Sequence, residues 1–209
     1  MKKKHSQLKT RENDNNFIWN YAKSKQLIFI LGAQTCPHSH QDNLALKLLE
    51  SYLSFGMSSL LFKTFREKNG LTYESGVFFP TRKFNAPFLI YLSVGPKNAL
   101  LAFDLLISIW KDLVSKLIDK EDLSIAKLKL KTSFLHNYQT VEEITYRKVN
   151  LMGIGIDPFH DEKTIKEIEY IDSEEILSVC QRYFKFLTLS ISGSKLLCEQ
   201  IKDRWNKYN

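Results

Sequence analysis

From Lys97 to Met152 the chain contains neither glycine nor proline, while Gly95-Pro96 and Gly153 to Pro158 stand at the two ends of that stretch. Glycine and proline are the strongest local breakers of regular structure, so this interior is predicted to be mostly helical. Pro96 suits the first turn of a helix reaching about Ile118. Asp119 or Lys120 opens the next, with Glu121 and Asp122 in its first turn, where acids complement the helix dipole; it runs to about His136. A further helix spans Val141 to Met152, and a short one covers Asp161 to Glu169. Ser173, followed by Glu174 and Glu175, is a predicted N-cap for a helix ending near Phe184.

Before Gly95 the pattern changes. Gln26 to Leu31 is a short apolar run rich in strand formers. Gln41 to Ser54 carries Leu44, Leu46, Leu48, Leu49, Tyr52 and Leu53 in a helical stripe. A second helix follows Gly56, with Leu60, Leu61 and Phe65 inward, Lys63, Arg66, Glu67 and Lys68 outward, and Gly70 as its stop. Thr72 to Phe79 and Phe88 to Val94 are predicted strands, joined as a hairpin through Pro80 to Pro87. Phe186 to Ser192 is a last strand. Such an order implies an α+β domain: one mostly antiparallel sheet with helices packed on one face. Residues 1–16 are expected to be a flexible basic tail, and 17–209 a single domain.

The rest of the composition excludes more than it identifies. Hydrophobic residues are 44% and charged residues 25% of the 209, the mix of an ordinary globular domain. No apolar run reaches the ~18–20 residues of a membrane span; the longest, Leu100 to Ile118, is broken by Asp104, Lys111, Asp112 and Lys116. Lys2, Lys3 and Lys4 are followed by no apolar h-region, so no secretory signal is expected. The expected compartment is therefore the cytoplasm, with a periplasmic or secreted location the alternative if this N-terminus is not the native one. Cys36, Cys180 and Cys198 are too few and odd in number for a disulfide framework. Of the net charge of +7, residues 1–12 carry +4. A nucleic-acid binder would spread basic residues over its folded surface, so a solubilising tail is the expectation, and no nucleic-acid partner.

Chemistry-bearing patterns are sparse. The five histidines, His5, His38, His40, His136 and His160, include no pair at i, i+4. H-E-x-x-H and its inverse H-x-x-E-H are both absent, and with them a zinc peptidase site in this chain. Cys36, His38 and His40 alternate and would share one face of an extended segment able to hold a soft metal, but Pro37 and the neighbouring polar residues read as a loop. Cys180 sits on an apolar helix face, as a small core residue does. His136 and His160 stand near helix ends. Gly56 to Tyr73 is the most informative segment. On physical grounds alone Arg66 complements a helix C-terminus, and Tyr73 starts a strand with its hydroxyl at the rim of the core.

This segment resembles the pitrilysin/insulinase-type family of zinc metallopeptidases, the family of insulin-degrading enzyme and the mitochondrial processing peptidase. The likeness is to the second, non-catalytic half of the repeated unit, where a glycine-rich turn and small-Ser-Ser-x-Leu-Phe precede Arg-Glu-Lys-x-Gly-Leu-x-Tyr. Here Gly56-Met57-Ser58-Ser59-Leu60-Leu61-Phe62 is followed by Arg66-Glu67-Lys68-Asn69-Gly70-Leu71-Thr72-Tyr73. Gln26 to Gly32 is similar to the family's opening strand, Asp122 to Lys129 to a later helix, and Ile168 to Tyr183 with Leu187 to Ser192 to its last helix and strand. The likeness spans about residues 20–195. Phe55 and Met57 depart from it where the family often has further glycines, and Leu60 where it often has arginine.

The resemblance implies the half-domain fold of the processing-peptidase type. It also implies a role: two halves close around an unfolded peptide, one bringing zinc and a glutamate base, the other an Arg–Tyr pair. Arg66 and Tyr73 are that implied substrate-binding pair, supporting catalysis in trans. A phenol can donate to an oxyanion and a guanidinium can hold carbonyls, but neither activates water. The chain is thus expected to be inactive alone, to carry no cofactor of its own, and to meet zinc in a partner half. The expected partners are that catalytic half, or a homo-oligomer, and a peptide. The alternative is a repurposed pseudoenzyme or interaction protein with no part in proteolysis.

Overall fold

In a computed structural model, residues 16–72, 74–136 and 138–208 are described; the basic tail up to residue 15 lies outside them. The elements are β1 (Phe17–Tyr21), β2 (Leu27–Gln34), α1 (Asn43–Ser54), a π-helical segment (Phe62–Glu67), β3 (Glu74–Phe78), β4 (Pro87–Val94), α2 (Ala99–Ser115), α3 (Lys120–His136), α4 (Val141–Gly153), α5 (His160–Glu167), α6 (Ser173–Tyr183), β5 (Thr188–Gly193) and α7 (Lys195–Tyr208). The strands form one sheet in the order β1-β5-β2-β4-β3. β1 runs parallel to β5, and the other three pairings are antiparallel. The expected α+β class holds, with a mixed, mostly antiparallel sheet.

Alternation along the strands decides which face is covered. Phe29 lies opposite Leu92 on β4 and Ile191 on β5, and all three are buried. Leu27, Leu31, Phe88, Ile90, Val94 and Leu189 fill the same face. Each such side chain contributes about 1.5–3 kcal/mol by leaving water. The helices close this face through large rings: Phe103 of α2 stacks on Phe29 at 6.5 Å, while Phe184, just after α6, meets Trp110 of α2 at 4.4 Å and Phe88 at 5.3 Å. The opposite face carries Ile18, Ile28, Ile30 and Phe78 exposed.

The Gly- and Pro-free stretch is helical as expected, in three pieces. Pro96–Asn98 is a 3-10 turn before α2. Thr140 and Glu143 form a reciprocal capping box at the start of α4. At α6 the cap is Asp172, whose carboxylate accepts from the Glu175 N–H at 2.8 Å. Ser173, the expected cap, instead donates to the Ile118 carbonyl at 2.7 Å. Two elements go beyond the sequence reading: β1, which adds an edge to the sheet, and α7, which packs on β1 and β5 through Cys198, Ile201 and Trp205.

At Gly32 the pairing of β2 with β4 leaves no room for a side chain. A Cβ there would stand 2.3 Å from the Phe88 carbonyl oxygen and 2.5 Å from Leu89 Cδ2, and a backbone oxygen in a paired strand cannot yield. Gly32→Ala is expected to destabilise the fold by ~2–4 kcal/mol in urea unfolding. Gly95→Ala, which meets nothing within 4 Å, is expected to change stability by less than about 0.5 kcal/mol.

Candidate functional site

The segment from Gly56 to Thr72 is built by a change of helical pitch. Gly56 takes a left-handed φ of 72° at the end of α1, which glycine alone does without strain. Ser59, buried, receives the Lys63 N–H on its carbonyl at 3.0 Å. Leu61 and Phe65 then bury four residues apart. Beyond Leu61 the helix widens: the Lys68 N–H reaches back five residues to the Lys63 carbonyl at 2.9 Å, and the Leu71 N–H reaches the Phe65 carbonyl at 2.7 Å. Gly70, with φ 58°, closes the turn. Such π segments are rare and concentrate at functional sites.

Arg66 is thereby presented on the exposed side of the widened turn, while Phe65 beside it is fully buried. Its guanidinium lies over the Phe62 ring at 5.1 Å, a contact that stiffens a long side chain without neutralising it. The Asn69 side-chain amide donates to the Thr64 carbonyl at 2.8 Å, and Lys63 faces Asp122 at 3.7 Å. The Thr72 hydroxyl bonds the Ser93 carbonyl and accepts the Glu74 N–H at 3.0 Å, so the chain entering β3 is pinned. Tyr73, the other residue of the expected pair, lies outside the described residues.

The alternating Cys36, His38 and His40 do not converge. Buried Cys36 is close to Tyr183, and burial raises its pKa. His40 Nδ1 accepts the Asp42 N–H at 3.1 Å. His38 bonds Asn43 Oδ1 through Nδ1 at 2.9 Å. Among the described residues no group of three or more His, Cys, Asp or Glu side chains is placed to hold a metal. Cys180 is buried in the core, with its thiol pushed up to about 12 by burial. His136 ends α3 and His160 begins α5.

Ionisable groups just before and within α1 are shifted by burial, which also lowers Lys47. Burial, followed by Lys47, His160 and Arg147, lowers His38 to about 4. Burial raises Glu50 to about 7, with Lys47 opposing. For His38 the unfolded chain binds the extra proton between about 6.5 and 4, so its neutral burial is fully tolerated above pH 6.5 and costs stability as pH falls toward 4. His38→Gln should therefore gain on the parent by up to ~3 kcal/mol between pH 6.5 and 4. Paired urea unfolding curves across that window measure it, and a pH-independent difference would contradict it.

The profile of the peptidase M16 inactive domain matches residues 3–130. An uncharacterized zinc protease of Rickettsia felis is 28% identical over 174 residues, covering 79% of this chain and 40% of that protein. Among solved structures, a peptidase M16 inactive domain from Pseudomonas fluorescens superposes with a TM-score of 0.77 at 17% identity, over 86% of this chain and 43% of that one. A protease from Helicobacter pylori follows at TM-score 0.76 and 17% identity, over 85% and 43%. A conserved protein from Enterococcus faecalis gives 0.73 and 16%, over 88% and 43%. These structural likenesses establish the fold, and the chain spans less than half the length of each relative.

Proposed function

The chain belongs to the peptidase M16 inactive-domain family, and from that premise we propose that it is the non-catalytic, substrate-binding half of a zinc metallopeptidase acting on unfolded peptides. In this reading it completes the active site of a zinc-bearing half. The observation that carries the proposal is the π-widened turn, which presents Arg66 to solvent directly ahead of the edge strand β3. A guanidinium held there suits the carbonyls of an extended peptide, through its fork of N–H donors. Tyr73 supplies a phenol hydroxyl for the scissile carbonyl as charge develops on its oxygen. Water activation and the Lewis acid belong to the partner half.

The test is turnover by the assembled peptidase. Tyr73→Phe is expected to lower kcat by an order of magnitude or more, the scale of a lost oxyanion donor. Arg66→Ala is expected to act mainly on KM. Both variants should still assemble with the zinc-bearing half. Unchanged kinetics in an assembled complex would favour a repurposed interaction protein.

A further inference from the structure

Away from Arg66, the first turn of α1 borders a cavity of about 200 Å³ lined by His38, Asn43, Lys47, Phe134, His160 and Asp161 among others. That is several times the ~30 Å³ share of one water molecule. Three features give the cavity unmet hydrogen-bonding capacity. His38 is 4% exposed, and its Nε2 has no hydrogen-bond partner among the described residues. The Lys47 ammonium lies 5.4 Å over the Phe79 ring but has no hydrogen bond or ion pair among the described residues. Asp42, at the N-cap position of α1, gives the helix no side-chain cap, because its carboxylate is taken by Arg182 and by the Tyr183 hydroxyl at 2.9 Å.

The charges that act on His38 have one sign, whereas Lys47 also feels the carboxylates of Glu50 and Asp161. Asp161 is fully buried but answered by Arg147 at 2.6 and 2.8 Å and by the Tyr138 hydroxyl at 3.1 Å. Glu167 lies exposed at the rim. The charged groups that act on His38, namely Lys47, His160 and Arg147, all disfavour a further positive charge. At His38 a metal cation would therefore be disfavoured. An anion would meet the Lys47 amine, whose protonated form burial disfavours and a bound anion would favour, an uncapped helix start and an unused imidazole nitrogen.

We propose that this cavity is a binding site for a small carboxylate, held by the Lys47 ammonium and His38 Nε2. His38 donates from Nε2 when its Nδ1 accepts from the Asn43 amide; the 2.9 Å contact serves either imidazole tautomer once the amide is turned. The carboxylate comes from a free small acid or from the C-terminus of a peptide. The site stands independently of the role proposed for Arg66.

Imidazole ¹⁵N resonances of the full chain test this, with acetate as the probe through the millimolar range. Acetate should move the His38 Nε2 resonance saturably toward the protonated form. Lys47→Met should weaken that binding by about tenfold or more, the loss expected for a charge-assisted hydrogen bond, whereas exposed Lys185→Gln should not. Lys47→Gln serves equally if the methionine variant does not fold. Tighter binding of trialanine than of acetate, with trialanine amide inert, identifies a peptide terminus as the source; trialanine no tighter than acetate identifies the free acid. No saturable His38 shift with acetate, or the same affinity without Lys47, would overturn the proposal.

Discussion

Burial of α1 from two sides is the constraint on which the rest depends. Ala45, Leu46, Leu48, Leu49, Ser51 and Leu53 are all buried, so nearly the whole circumference of the helix is out of water. It packs on β3 along one flank and on α3 and α6 along others. The single hydroxyl deep in that packing, on Ser51, donates to the Ala126 carbonyl of α3 at 2.8 Å, as a buried donor must. A helix enclosed in this way has one permitted rotation and one permitted depth.

Both ends of α1 then carry consequences. At its C-terminus, Gly56 turns the chain into the π segment, and burial of Leu61 and Phe65 leaves Arg66 outward. At its N-terminus, Asp42 is drawn away to Arg182 and Tyr183, tying α1 to the end of α6. That leaves the first turn uncapped beside His38 and Lys47. The proposed peptide contact and the proposed carboxylate site thus lie at opposite ends of one helix, and each depends on how the core fixes it.

Much of this was legible in the sequence where local pattern and tertiary burial agree. The leucine spacing of α1, the strand-forming runs of β2 and β4 and the unbroken stretch of α2 to α4 each point to the observed element. β1 was not legible: only Phe17 of its five residues is buried, so no alternation marks it, and its partner β5 lies at the far end of the chain. α7 did carry a signal, since Cys198, Ile201 and Trp205 recur at helical spacing among charged residues. Ser173 had the right chemistry for a cap, but the neighbouring Ile118 carbonyl claimed its hydroxyl. The π widening at Arg66 has no local sequence mark, because it arises where buried Phe65 and the left-handed Gly70 must both be accommodated. Lys47 carries no local mark of a site; only the fold places it against Phe79 and the His38 cavity.

The central claim is that this domain works as one half of a two-part peptidase. It is tested most directly by purifying the protein from its own cells and measuring zinc content and cleavage of unfolded peptides on the purified material. A zinc-bearing half in equal stoichiometry is expected, with peptidase activity that rises and falls with the metal. A zinc-free, inactive preparation containing this domain alone would contradict it.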